Sequence, residues 1–277
     1  MNADSGQGQL FRSYLGSRLG AYTMALGSLA AFTIGAWQAN VPIMLGGPAA
    51  VVLVVVAISW YAADRATARD FYWGFANSVG LTYAASTQVL TLTPLLGAGD
   101  QRYVEHWMYG RLPGALSGGI GQLVWERVGR DSDGDQVVKD RNRFTICTVD
   151  LDASLPLFHG VFLHPQRGLF APYPDWMGHM PTRTLEVESS DFGERYELRI
   201  ATDQDEIFLR RLLSPTLVSW LAQHPLVPGF ELKAGTLCAF VPRPLTDAGN
   251  LTYLIDATVH LAGRVRATVE EEQARVA

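Results

Sequence analysis

Cysteine is scarce: Cys147 and Cys238 are the only two in 277 residues, and each sits inside an apolar run, FTICTV and TLCAFV. A disulfide framework is thereby excluded, and buried free thiols are expected. An excess of positive charge is missing as well. With 22 basic and 27 acidic residues the chain carries a net charge of -5, which offers no field to draw in a polyanion, so nucleic acid is set aside as a partner. No phosphate-cradling glycine loop occurs, and Ser117 in GALSGG lacks the spacing of a nucleophile elbow. Those glycines fit better the start of a strand or a close approach of two backbones. Internal repeats and low-complexity segments are absent too.

Charge of either sign is missing from Leu19 to Ala63, in a chain that is 18% charged overall. A membrane-crossing helix needs about 20 apolar residues, and this stretch is roughly twice that length. Gln38, Asn40 and Pro42, with Gly46, Gly47 and Pro48 behind them, break it in the middle. The reading is a transmembrane helical hairpin with spans at about 20–39 and 43–60. Arg12 and Arg18 precede it and Arg65 and Arg69 follow it, which places both termini in the cytoplasm of a two-pass protein of the cell membrane. No ionisable residue lies within either span, so the hairpin reads as an anchor and not as a transport path. Gly27, Ala31 and Gly35 recur on one face of the first span, where they suit packing against the second helix or, alternatively, a homo-oligomer. The expected organisation is a cytoplasmic tail at 1–18, the hairpin at 19–63 with the lipid bilayer as its partner, and a cytoplasmic α+β domain at 64–277.

In that domain, 64–77 has helical spacing, Gly80 to Tyr83 reads as a short strand, and 93–114 as loop, helical turn and loop. Gln122 to Gly129 and Asn142 to Val149 are rich in β-branched and aromatic residues and flank the polar stretch RDSDGDQVVKDR, an antiparallel hairpin. Further strands are expected at 157–163, 184–188, 195–201, 230–233 and 236–241. Acidic residues open and Arg210 and Arg211 close a helix at 203–213, as the helix dipole favours. Ser214 and Pro215 supply the cap and first residue of another. Leu251, Leu254, Ile255, Val259 and Leu261 give the stripe of an amphipathic C-terminal helix. Parallel βαβ units are not evident, so the fold class is α+β with antiparallel strands and C-terminal helices.

The segments TPLLGAGDQR, YGRLPGALSG, DQDEIFLRRLLSPTLVSWL and FELKAGTLC, behind the paired-helix anchor, resemble a family of uncharacterised bacterial membrane proteins carrying a domain of unknown function. The resemblance covers about Arg69 to Val265. It implies membrane topology and α+β architecture, and it transfers no active-site residue.

Asp150 and Asp152, after the strand FTICTV, are the best candidates for chemistry. Phosphotransferases of the haloacid-dehalogenase type set two aspartates at a strand end, but they also need a lysine downstream, and here only Lys233 follows. Asp131, Asp133 and Asp135 begin like a calcium loop, yet Gln136 and Asn142 occupy the positions of the required glycine and bidentate glutamate, so an exposed hairpin tip is expected. His159 and His164 are five residues apart on a strand and point to opposite faces, which argues against a shared metal. Neither metal nor cofactor is expected. The leading functional reading is a membrane-anchored interaction or scaffold module that engages a membrane-protein partner. The alternative is a membrane-associated hydrolase or phosphatase with a dispersed site that includes Asp150, Asp152 and His159.

Overall fold

The computed structural model describes residues 66–88, 90, 92–152, 157–166 and 180–276. The chain divides into two compact units, 1–74 and 75–277. Of the first, residues 66–74 are described; all are helical, and Thr67, Phe71 and Tyr72 are buried. They belong to helix α1, residues 66–79.

The second unit is built on one sheet. Its strands are β1 (Thr82–Thr87), β2 (Gln101–Leu112), β3 (Leu116–Arg130), β4 (Gln136–Asp150), β5 (Val161–Pro165), β6 (Thr182–Thr184), β7 (Tyr196–Ala201), β8 (Gly229–Lys233) and β9 (Thr236–Val241). Helices α2 (Ser190–Arg195), α3 (Glu206–Leu212), α4 (Pro215–Gln223) and α5 (Ala248–Val276) complete it. The strand order is β1-β2-β3-β4-β9-β8-β5-β7-β6, and every neighbouring pair is antiparallel.

Local chemistry accounts for the elements. The β3–β4 hairpin turns at 131–135, where the Asp131 carboxylate accepts from the N–H groups of Asp133 and Asp135 at 3.0 and 2.9 Å and Gly134 takes a positive φ of 90°. The aspartates of the calcium-like motif are thus a self-capped turn. Asp205 caps α3 by accepting from Ile207 and Phe208, and Ser214 caps α4 ahead of Pro215. Arg195, at the end of α2, donates to the carbonyls of Ala222 and His224 and so ties off the end of α4.

Both faces of the central strands are covered. On the front face, Val104, Leu123, Trp125, Phe144, Ile146, Cys238 and Phe240 form a core capped by Leu95 and Leu96 from the turn at 93–98. On the back, α5 packs on β4 and β9. There Thr258 hydrogen-bonds the Cys147 thiol, which burial nonetheless pushes up to about 12. Both cysteines are free, and being offset by one residue across the β4–β9 pair they point to opposite faces. The seam between the two halves of the sheet is fastened by Thr145. Its hydroxyl donates to the Arg243 carbonyl at 2.9 Å and accepts from the Leu245 N–H at 2.8 Å.

A carboxylate and an imidazole lie inside the front core. Glu231 of β8 is completely buried; its Oε2 accepts from the Leu95 N–H at 2.8 Å, and its Oε1 lies 3.3 Å from Nε2 of the buried His164 on β5. The His164 ring meets Phe240 edge-on at 5.5 Å. The carboxylate therefore clips the 93–98 turn onto the sheet from beneath.

Several expectations are corrected. The hairpin at 19–63 and the tail at 1–18 lie outside the described residues, as does the bilayer contact that rested on them. Among the described residues no helix is long and apolar enough to cross a membrane. The longest, α5, carries Asp256, Arg264, Arg266, Glu270, Glu271, Glu272 and Arg275, a charge load that hydrocarbon does not accept. The fold class is α+β on a nine-stranded antiparallel sheet, and the transmembrane hairpin, the two-pass topology with cytoplasmic termini and the cell-membrane localisation are withdrawn. The loop expected at 93–114 is also corrected, since 101–112 forms strand β2.

Candidate functional site

Near the start of β3 the sequence LSGGIGQ removes side chains from the sheet where β2, β3 and β4 run side by side. Gly118 lies so close to β4 that a Cβ there would sit 2.1 Å from the Thr148 carbonyl oxygen. Gly119 and Gly121 face the front and form a bed for Trp107: added Cβ atoms would meet its six-membered ring at 2.5 and 3.0 Å, on opposite sides of that ring. The ring consequently lies over the β3 backbone in the space these two glycines leave.

What aims Trp107 there is a β-bulge. His106 and Trp107 both stand opposite Gly121, between the pairs Glu105↔Gln122 and Met108↔Ile120. His106 adopts a φ of 52°, and its Nδ1 lies 2.9 Å from the Tyr83 hydroxyl. The extra residue brings Trp107 to the front and sends Met108 to the buried back, the re-aiming for which bulges are used.

Beyond the capped core, this part of the front face opens into a cleft of about 890 Å³. Leu92, Leu96, Val104 and Trp107 make its apolar wall, the exposed Tyr109 stands on its rim, and Thr148, Thr236, Asp150 and Asp152 close its far end. A second cleft of about 540 Å³ adjoins it at Ser117, Asp150 and Asp152 and runs along α5 past Arg266 and Glu270. The two aspartates form the divide between them.

Asp150 and Asp152 share a side-chain hydrogen bond. Partial burial, then that bond and the repulsion from Asp152, hold the Asp150 carboxyl above its usual 3.8, while the Asp152 backbone N–H pulls the other way. Among the described residues no arginine or lysine forms an ion pair with either carboxylate. The folded protein thus holds this proton more tightly than the unfolded chain. The contribution to stability is present at low pH and is lost as pH rises from the ordinary aspartate value through the raised one. In an Asp152→Asn variant the Asp150 titration is expected to move down toward the ordinary aspartate range and this slope to flatten. Carboxyl carbon chemical shifts followed against pH check both.

No protein family, curated protein or solved structure matches this chain. The geometry alone therefore bears on function. It brings together two of the three candidate residues, Asp150 and Asp152. The third, His159, is elsewhere: its Nδ1 lies 3.0 Å from Asp203 Oδ2, its backbone N–H donates to Gln204, and it lines neither cleft. Among the described residues no group of three or more His, Cys, Asp or Glu side chains is placed to hold a metal. Trp107 and Tyr109 were not singled out by the sequence. The bulge interrupts the period of two that marks a strand, and the one available signal was the glycine run of β3, which asks what lies against it.

Proposed function

We propose that the protein is a binding module that takes a segment of a partner protein into its front cleft. The observation that carries this is the cleft itself, a space of about 890 Å³ on the sheet beside the glycines of β3, walled by Trp107 and its apolar neighbours. Concave sites with an apolar wall and a few polar groups at one end are where proteins take ligands. The test is a photo-crosslinking residue placed in the full chain at Tyr109, on the cleft rim, or at Val138, an exposed position on the β3–β4 hairpin. The reading expects one adduct of reproducible mass from Tyr109, absent from Val138 and abolished by Thr148→Phe, which fills the cleft. Equal adducts from both positions, or none from Tyr109, would overturn it.

One observation favours a second reading, a hydrolase. Paired carboxyls of which one holds its proton above the ordinary aspartate range are the equipment of general acid catalysis, and Asp150, hydrogen-bonded to Asp152, is such a group. It is a hydrolase site without His159. Turnover of ester, phosphate or glycoside probes that disappears in Asp150→Asn would put this reading first.

A further inference from the structure

We propose that what the front cleft recognises is an alkylammonium group, the head of a lysine side chain, free or methylated, carried by the partner segment. The inference rests on the cleft being the binding site and names the chemistry of its occupant. Three features of the cleft converge on it.

The first is Trp107. Packed against Gly119 and Gly121 and brought to the front by the bulge, the indole is half-buried and lines the cleft. A fixed indole face is the strongest aromatic partner for an organic cation, because the electron-rich π surface attracts positive charge that is only weakly hydrated. Tyr109, two residues on, adds a second ring at the rim.

The second is charge. Asp150 and Asp152 line the same cleft, with no cationic side chain among the described residues paired to them. Arg111 also lines the cleft, yet it makes no ion pair with either aspartate. Electrostatic complementarity calls for a positive head there.

The third is reach. Gly119, under the indole, pairs with Thr148, and Asp150 lies two residues further along β4 on the same face. Strand spacing and rise put the glycine and aspartate backbones roughly 8 Å apart, a gap an ammonium head can bridge between ring and carboxylate. The leucine and valine wall of the cleft then accommodates the methylene stem, as lysine stems commonly lie on apolar surface.

The experiment titrates the full chain with N-acetyl-trimethyllysine N′-methylamide, its unmethylated lysine counterpart and the neutral N-acetyl-norleucine N′-methylamide, followed by calorimetry and amide chemical shifts. The lysine probes are expected to bind at least about 10-fold more tightly than norleucine, with shifts centred on Gly119, Thr148 and Asp150. The preference falls by about 10-fold in Trp107→Leu and in the Asp150→Asn/Asp152→Asn pair, and it weakens with added salt. Tyr109→Ala, an exposed change that spares the core, serves as well should Trp107→Leu unfold, and is expected to lose about 3-fold. Norleucine binding within about 2-fold of the lysine probes, or no lysine probe binding at about 10 mM, overturns the proposal. A Tyr109 crosslink that forms but is not competed by the lysine probe refutes the ligand class and leaves the cleft reading intact; loss of the crosslink altogether refutes the cleft reading.

Discussion

Glu231→Ala should cost the protein about 3–5 kcal/mol of stability, read as a fall in Tm of about 10 °C or a matching shift in the urea midpoint. The carboxylate is completely buried, and two groups depend on it: the Leu95 N–H, which it accepts at 2.8 Å, and the His164 ring, 3.3 Å away. Alanine leaves a buried backbone donor without its acceptor and a buried imidazole without its counterpart, and each loss carries the full price of desolvation. It also releases the 93–98 turn whose Leu95 and Leu96 cap the front core, so apolar contacts are forfeited with the polar ones. Glu231→Gln keeps an oxygen for Leu95 and should lose roughly half as much. A Glu231→Ala protein within about 1 kcal/mol of the parent would show that the clip holds nothing.

The second large effect is expected at Gly118. Its absent Cβ would stand 2.1 Å from the carbonyl oxygen of Thr148, and a backbone atom inside a paired ladder cannot step aside as a side-chain tip can. Gly118→Ala must push β3 and β4 apart within their hydrogen-bonded ladder, at a cost of about 3 kcal/mol or more. Gly134→Ala is the comparison: nothing lies within 4 Å of its added Cβ, and only its φ of 90° resists, worth about 1–2 kcal/mol. Equilibrium urea unfolding of the two variants ranks them, and the order Gly134 worse than Gly118 would refute the packing account.

Elements held together by local chemistry were readable in the sequence. The aspartates of the 131–135 turn, the Ser-Pro start of α4 and the apolar stripe of α5 each contain their own explanation within a few residues, and all three stand where that chemistry put them. Strand β2 was not readable, because its bulge sets His106 and Trp107 against one residue and Gly110 lowers its strand signal. The site was legible in part. Asp150 and Asp152 drew attention by sitting at the end of an apolar strand, and they do meet in a cleft. His159, the third candidate, lies instead against Asp203. The partners of Glu231, Leu95 and His164, come from distant segments, so the expected strand at 230–233 announces nothing of this acid's burial.

The seam fastened by Thr145 also sets a timetable. Its hydroxyl waits for the Leu245 N–H, 100 residues further along the chain. A ribosome adding about 5–20 residues per second needs roughly 5–20 s to deliver that partner. For most of that time β4 has been made and β9, the strand that zips against it, has not, leaving the apolar edge of FTICTV raw in the emerging chain. A nascent polypeptide in that state is a natural client for a chaperone that shields such edges, and crowding of unfinished chains is where its losses during synthesis should concentrate.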